Sequence, residues 1–392
     1  MSRFLEQVEQ YTVEIIYGRQ KTWWDRLYRI FLFSLSHLYR FAVQTRIFFY
    51  DKAIFHRKNV GSFVVSVGNL TTGGTGKTPV VEILARTLAK RGRVVAILSR
   101  GYRSKSRSFW EKLKSVFHKE MRLPPKVVSD GKQMLLDSSL AGDEPFMLAR
   151  NLLANKEHDG VAVIVDKDRV YGGKFAIQKF HADTLLLDDG FQYMPLRPRI
   201  NIVLVDSTSP FHNHEVLPIG MLREPIEHIS KADYIFLTKC QRGRDFTHLR
   251  DFLHRHNRTA PIIECNHEPC HLVKIDGSGR MPLEVLKGKK VASICGIAMP
   301  HSFEGFIEQL GATIVYRERF VDHHRYTKDE IKSFCKKGQA EGAELFITTE
   351  KDAVRIPHLK YKAIPFLFLR VEIVILKGQE HFEDCITKIC MR

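Results

Sequence analysis

The stretch TTGGTGKT at residues 71–78 combines the residue types that bind phosphate. Glycines let backbone amides approach an anion, a lysine reaches the outer phosphates of a nucleotide, and an adjacent threonine hydroxyl can ligate Mg²⁺. The P-loop pattern is Gly, four residues and Gly-Lys-Ser/Thr, but its first position here is a threonine. The spacing still predicts a nucleotide-binding loop formed by Thr71, Thr72, Gly73, Gly74, Thr75, Gly76, Lys77 and Thr78.

A pair of aspartates follows an apolar run in TLLLDDGFQ, residues 184–192. Aspartate at a strand end is common in turns. Beside a phosphate-binding loop, however, such a carboxylate is typical of a Mg²⁺ ligand. We therefore predict a metal site formed by Asp188 and Asp189 with the hydroxyl of Thr78.

Three further motifs carry acidic, basic or imidazole side chains: AGDEPFMLARNL (141–152), GMLREP (220–225) and VDHHRYT (321–327). Asp143 could accept a proton or cap a helix. Arg223 and Glu224 could clamp a phosphate or form a surface ion pair. His323 and His324 could be acid/base residues, metal ligands or surface residues. The residues alone leave these alternatives open.

Apolar runs rich in β-branched residues alternate with helical patterns, which is typical of a doubly wound, mostly parallel α/β sheet. They are SFVVSV (62–67), VVAIL (94–98), VAVIV (161–165), TLLL (184–187), INIVLV (200–205) and YIFLT (234–238). A second set begins near residue 290, after a polar stretch around residue 240. We predict a membrane-associated segment at 1–58, a P-loop domain at 59–240 with a basic insertion at about 103–126, and a smaller α/β domain at 241–392.

Residues 23–45 predict one helix with a narrow basic and polar face and a wide apolar arc. Such a helix fits a membrane interface, where arginines meet anionic headgroups. The alternative is a helix buried against the protein's own core. The longest charge-free run, between Arg29 and Arg40, is too short to span a bilayer.

The net charge of +17 predicts an anionic partner. The basic residues are dispersed and match no nucleic-acid-binding motif, which favours a membrane surface or a phosphorylated substrate. Seven cysteines without a C-x-x-C pair indicate reduced thiols. The spacing of Cys265, His267, Cys270 and His271 is too compressed for the usual separated pairs of zinc ligands.

Taken together, seven motifs resemble those of the tetraacyldisaccharide 4'-kinases of lipid A biosynthesis, over nearly the whole chain. In order they are SVGNLTTGGTGKTP (66–79), LSRGY (98–102), GDEP (142–145), DDGFQ (188–192), LPIGMLREP (217–225), DHH (322–324) and TTEKDAV (348–354). The threonine that opens the P-loop belongs to that family's pattern.

The resemblance implies an ATP- and Mg²⁺-dependent lipid kinase at the cytoplasmic face of the bacterial inner membrane. It would phosphorylate the 4'-hydroxyl of tetraacyldisaccharide 1-phosphate to form the 1,4'-bisphosphorylated lipid A precursor, lipid IVA. Asp143 would be the base and His323, rather than His324, its partner. The residues expected around the nucleotide, the metal and the transferred phosphate are Asp188, Asp189, Gln192, Arg169, Arg223 and Glu224. The alternative function is a membrane-associated P-loop ATPase that acts as a switch or delivery factor.

Overall fold

The computed structural model describes residues 11–12, 14–16, 22–101, 123–357 and 364–391. Of the predicted basic insertion at about 103–126, residues 103–122 lie outside the described residues.

The described residues form an α/β fold built on a large, mostly parallel sheet, which confirms the predicted fold class. The helices are α1 (Trp23–Asp51), α2 (Lys77–Lys90), α3 (Ser138–Ala141), α4 (Asp143–Asn151), α5 (Arg169–Phe180), α6 (Thr247–His256), α7 (Pro300–Gln309), α8 (Lys328–Ala340), α9 (Glu350–Ala353) and α10 (Gln379–Cys390). The strands are β1 (Phe63–Asn69), β2 (Val95–Ser99), β3 (Lys126–Asp130), β4 (Ala162–Val165), β5 (Thr184–Asp188), β6 (Ile200–Asp206), β7 (Tyr234–Thr238), β8 (Ile262–Lys274), β9 (Arg280–Met281), β10 (Lys290–Cys295), β11 (Thr313–Arg319), β12 (Leu345–Thr349) and β13 (Phe366–Lys377).

The chain divides into two compact units, neither of which is continuous in sequence. The first unit contains the residues up to Lys77, Asp189–Cys265 and Ile375–Cys385. The second unit contains Thr78–Asp188, Asn266–Val374 and the residues from Ile386 onward. The domain bounds predicted from the sequence stay a prediction.

In the first unit, β1, β6, β7 and the beginning of β8 pair in that order, all parallel. Every residue of β1 and β7 is buried, as expected for strands covered on both faces. Apolar side chains of β6 and β7 pack with Val216, Leu222 and Ile229 from the segment that joins these two strands. That segment is therefore held against the strands.

In the second unit, β5, β2 and β4 are parallel neighbours, and β3 pairs antiparallel with β4. A second set in this unit pairs β11, β10, β12 and β13 in parallel. Two apolar clusters cover this second set, one around Phe303 and Ile307 of α7 and one around Ile331 and Phe334 of α8. The turns at the ends of these strands carry the remaining sequence motifs.

Helix α1 begins with a capping box between Thr22 and Asp25. A narrow stripe that includes Leu32, Ser36 and Ile47 is buried, and the Ser36 hydroxyl donates to the Val216 carbonyl at 2.8 Å. The large apolar side chains of its other faces are exposed: Trp23, Trp24, Leu27, Ile30, Phe31, Phe33, Leu35, Leu38, Phe41 and Phe48. Most of the apolar surface of α1 is thus not packed against the other described residues of the first unit. Among the described helices, none has the length and apolar content needed to cross a membrane.

Candidate active site

The glycine-rich loop joins the end of β1 at Asn69 to the start of α2 at Lys77. Gly73 and Gly76 have φ angles of 110° and 79°, a backbone region that favours glycine. The Thr72 amide donates to the Met221 carbonyl at 2.7 Å, and the Arg223 amide donates to the Leu70 carbonyl at 2.6 Å. These bonds hold the LREP segment beside the loop, although the two are far apart in sequence.

The Lys77 ammonium lies inside a group of polar side chains of the first unit. Its Nζ donates to Asn69 Oδ1 at 3.1 Å and lies 3.4 Å from Asp189 Oδ1. Arg223 Nη1 lies 2.9 Å and 2.8 Å from the two oxygens of the same carboxylate. In this structure Asp189 is therefore the counterion of two cations, and its predicted role as a metal ligand stays a prediction.

Asn69 is a site residue that the sequence analysis did not single out. Besides accepting from Lys77, its Nδ2 donates to the Thr71 carbonyl at 2.8 Å, and its carbonyl accepts from Gln192 Nε2 at 2.9 Å. Its position as the last residue of a buried strand, just before the loop, is the signal that could have found it. It ties the loop, its lysine and the DDGFQ motif together.

Two buried polar atoms of this group lack, among the described residues, the hydrogen-bond partner that a polar ligand could provide. Within the described part of the chain, Thr75 Oγ1 and Gln192 Oε1 are buried without a hydrogen-bond partner. Buried polar atoms are normally satisfied. The loop backbone itself is held, because Thr238 Oγ1 donates to the Thr75 carbonyl at 2.8 Å. The loop therefore fits a nucleotide phosphate chain.

Asp188 and Thr78 provide oxygen atoms of the kind that Mg²⁺ prefers. Asp188 is the buried last residue of β5, and Ser99 Oγ donates to its Oδ2 at 3.1 Å. Thr78 lies half-buried in the first turn of α2. A carboxylate and a hydroxyl of these two residues fit Mg²⁺ by their chemistry.

The second unit brings Asp143 and His323 together. Asp143 is the first residue of α4, and its Oδ2 lies 3.4 Å from His323 Nδ1. His323 has a φ angle of 67°, an uncommon backbone conformation for a residue with a side chain, of the kind found at functional sites. The structure thus joins two motifs that lie 180 residues apart.

The Asp143 carboxylate is a weakly basic group. Burial raises its pKa, but the His323 hydrogen bond and the Arg355 and Arg325 guanidinium groups outweigh burial and lower the pKa to about 2. It is therefore ionised at neutral pH. Arg355 and Arg325, the two arginines responsible, were not among the predicted site residues.

Three further predicted site residues, His324, Glu224 and Arg169, lie outside the two groups described above. His324 Nε2 lies 3.1 Å from Glu330 Oε2 at the start of α8, so His323 and not His324 reaches Asp143. Glu224 is buried, with an oxygen 2.9 Å from His228 Nδ1. Arg169 is buried as the first residue of α5.

The cysteine- and histidine-containing segment forms part of β8. Cys265 is buried and Cys270 is exposed. Among the described residues, no three His, Cys, Asp or Glu side chains are grouped so as to hold a metal ion.

Comparison with known proteins identifies the family. The profile of the family "Tetraacyldisaccharide-1-P 4'-kinase" matches residues 28–391. The chain belongs to this family. A tetraacyldisaccharide 4'-kinase of Syntrophus aciditrophicus is 35% identical over 370 residues, covering 92% of this chain and 93% of the relative. One of Anaeromyxobacter dehalogenans is 37% identical over 351 residues, covering 88% of this chain and 86% of the relative.

A solved structure shows the same fold. The tetraacyldisaccharide 4'-kinase family member LpxK from Aquifex aeolicus, crystallised in complex with ATP, is 28% identical and superposes with a TM-score of 0.71. The match covers 92% of this chain and 99% of that chain. The family resemblance predicted from the motifs is confirmed.

Proposed function

We propose that this chain is an ATP-dependent lipid kinase that transfers the γ-phosphoryl group of ATP to the 4'-hydroxyl of tetraacyldisaccharide 1-phosphate. The observation that carries the proposal is the Asp143–His323 pair in a chain that also has a Lys77 phosphate loop and belongs to this kinase family. An ATPase switch needs the loop but does not need a base for the hydroxyl group of an acceptor sugar. The product is the 1,4'-bisphosphorylated disaccharide.

The phosphate loop supplies positive charge and orientation. Phosphoryl transfer depends chiefly on positioning and on neutralising the negative charge of the transferred group. Lys77 is held by Asn69 and Asp189, and Arg223 by Asp189, so both cations have defined positions. When ATP binds, its phosphates take the place of a carboxylate as the partner of Lys77.

Mg²⁺ is the metal that this oxygen set fits. Asp188 and Thr78 would hold it, with Asp189 adjacent in sequence, and the ion would supply positive charge that neutralises the phosphates. Ser99 fixes the Asp188 carboxylate in one orientation. Gln192 orients the loop through its bond to the Asn69 carbonyl.

The Asp143–His323 pair would accept the proton of the acceptor hydroxyl. As that O–H bond breaks, the oxygen forms a bond to the γ-phosphorus, the bond from phosphorus to the β,γ-bridging oxygen breaks, and ADP leaves. A carboxylate with a pKa of about 2 is a poor proton acceptor on its own. The pair therefore acts together, with the carboxylate orienting the imidazole.

The exposed apolar face of α1 supports a peripheral position on a membrane. Trp23, Trp24, Leu38 and Phe41 are each at least 60% exposed. Exposed apolar patches of this kind are rare on water-facing protein surfaces and mark sites of interaction with a membrane or another protein. The acylated acceptor resides in a membrane, and the proposed position is the cytoplasmic face of the inner membrane, where ATP is available. In this proposal Arg223, Glu224 and Arg169 line the site of phosphoryl transfer.

The direct test incubates the full-length protein in detergent micelles with labelled ATP, Mg²⁺ and purified tetraacyldisaccharide 1-phosphate. The expected product is the disaccharide carrying label at the 4' position, formed in step with ADP. An acceptor whose 4'-hydroxyl is replaced by hydrogen is the matched control and should stay unlabelled. ATP hydrolysis that is independent of the acceptor, with no labelled lipid, would contradict the kinase function.

A further inference from the structure

Arg355 lies between the Asp143–His323 pair and the buried end of the TTEKD motif. Its side chain has 0% exposed surface. Its Nε donates to Asp143 Oδ2 at 2.7 Å, and its Nη2 lies 3.0 Å from His323 Nδ1. One guanidinium therefore contacts both members of the pair.

The far side of the same guanidinium is anchored. Arg355 Nη1 donates to Asp352 Oδ1 and to the Gly296 carbonyl, both at 3.2 Å. Asp352 is itself buried and accepts from the Gly296 amide at 3.0 Å and from the Thr349 hydroxyl at 2.6 Å. The planar fork of an arginine makes such divergent bonds in one geometry, whereas a lysine ammonium cannot.

Other charged groups face the pair less directly. Arg325 Nη2 lies 3.4 Å from Asp143 Oδ1, but its side chain is about half exposed. Lys351 Nζ lies 3.3 Å from His323 Nε2, and Asp322 Oδ2 lies 3.9 Å from that same nitrogen. Among these groups, Arg355 alone touches both Asp143 and the Nδ1 side of His323.

We propose that Arg355 is a positioning residue of the phosphoryl transfer, which holds the Asp143 carboxylate and His323 Nδ1 in one fixed geometry. This role rests on the proposed kinase function. The alternative is a buried counterion that serves stability only.

The two roles differ in their effect on pH dependence. Arg355 is one of the groups that lower the pKa of Asp143 to about 2 against the opposing effect of burial. Without the guanidinium, burial acts with less opposition and the pKa of Asp143 rises. An acid limb in the turnover profile then moves to higher pH, whereas a purely structural defect scales the profile without moving it.

The experiment compares full-length wild-type protein with Arg355→Met, Arg355→Lys and Arg370→Met in detergent, with ATP and the disaccharide 1-phosphate. Arg370 is the matched control because its side chain is also buried and paired with two carboxylates of the second unit, Glu82 and Glu350. The readouts are kcat, the KM for each substrate, the pH profile over the range in which each variant stays folded, and the thermal midpoint.

We expect Arg355→Met to lose kcat by roughly 10²-fold or more, with little change in the KM for ATP. Its acid limb should rise by about one pH unit or more. Arg355→Lys keeps the charge and should lose kcat by about tenfold without that shift, which preserves the test if the Met variant does not fold. Arg370→Met should lower the thermal midpoint and leave the shape of the pH profile unchanged.

Wild-type kcat in folded Arg355→Met or in Arg355→Lys would overturn this role alone. So would a fall in kcat for Arg355→Met with an unshifted acid limb. A wild-type protein that leaves the disaccharide unphosphorylated would instead overturn the proposed function, and this role with it.

Discussion

Lys77 tests the phosphate loop at the scale of one residue. Its ammonium is the loop cation held by Asn69 and Asp189, so Lys77→Met removes the charge that accompanies the migrating phosphoryl group. We expect kcat to fall by roughly 10³-fold or more, because cations at such positions supply several kcal/mol to the transition state. The measurement is lipid phosphorylation at saturating ATP. Arg244→Met, at an exposed turn of the first unit, is the control. Near-normal turnover of the Lys77 variant would remove the loop from the reaction.

Asp143 and His323 test whether two residues act as one acid/base unit. Asp143→Asn and His323→Ala should each lower turnover by roughly 10²–10⁴-fold. The double variant should be barely worse than the worse single variant, because residues that act as a unit are strongly non-additive. ATP affinity, measured separately by calorimetry, should change little. Fully additive losses would indicate two independent roles.

The sequence motifs identified the residues that carry charge or protons, but not those that hold them. Asp143 and His323 were predicted as partners and do meet, as family patterns implied. Arg355 and Asn69 were missed because their roles depend on which side chains the fold brings near them. Arg355, for example, contacts Asp143, which lies 212 residues away in the sequence. The pairing of Asp189 with Lys77 and Arg223 could not be predicted from the sequence either. An aspartate at a strand end has the same sequence spacing whether it binds a metal ion or pairs with lysine and arginine side chains.

At the scale of elements, Gly68 allows β1 to approach the DDGFQ segment. A Cβ at this position would lie 2.7 Å from Phe191 Cβ and 2.8 Å from the Phe191 backbone nitrogen. Gly68→Ala must therefore displace the segment next to Asp189, and we expect it to cost about 1–3 kcal/mol of unfolding free energy. Gly305→Ala in α7 meets open space and should instead gain about 0.5–1 kcal/mol. Urea unfolding of both variants measures this; equal stability would contradict the close approach.

A buried ion cluster connects α2, α9 and β13 within the second unit. Arg370 pairs with Glu82 and with Glu350, and all three side chains are less than 10% exposed. Arg370→Met leaves two carboxylates buried without their main cation, which should cost about 3–5 kcal/mol. Lys332→Met, which removes an exposed ion pair with Asp329 in the same unit, should cost less than about 1 kcal/mol. Denaturant unfolding distinguishes the two, and similar losses would contradict a structural role for the buried cluster.

At the scale of the whole molecule, the fold class was predictable from the sequence. Parallel strands that are covered on both faces appear as continuous apolar segments rich in β-branched residues. The runs at 62–67, 184–187 and 234–238 coincide with the buried strands β1, β5 and β7. The grouping of the chain into units was not predictable in the same way. Segments distant in sequence join one unit, and such long-range packing leaves no local signal in hydrophobic periodicity.

The exposed face of α1 decides how the molecule meets a membrane. Leu38 and Phe41 are 65% and 67% exposed, so Leu38→Gln with Phe41→Gln should leave the thermal midpoint unchanged. Burying two large apolar side chains in an interface stabilises binding by a few kcal/mol, so the double variant should bind anionic phospholipid vesicles on the order of 10²-fold more weakly. Leu135→Gln, an exposed apolar residue of the second unit, is the control and should bind normally.

High salt should not release the wild-type protein from the membrane, because apolar burial is not screened by salt. Complete release by salt together with normal binding of the double variant would show that the attachment is electrostatic and that this face of α1 does not enter the membrane.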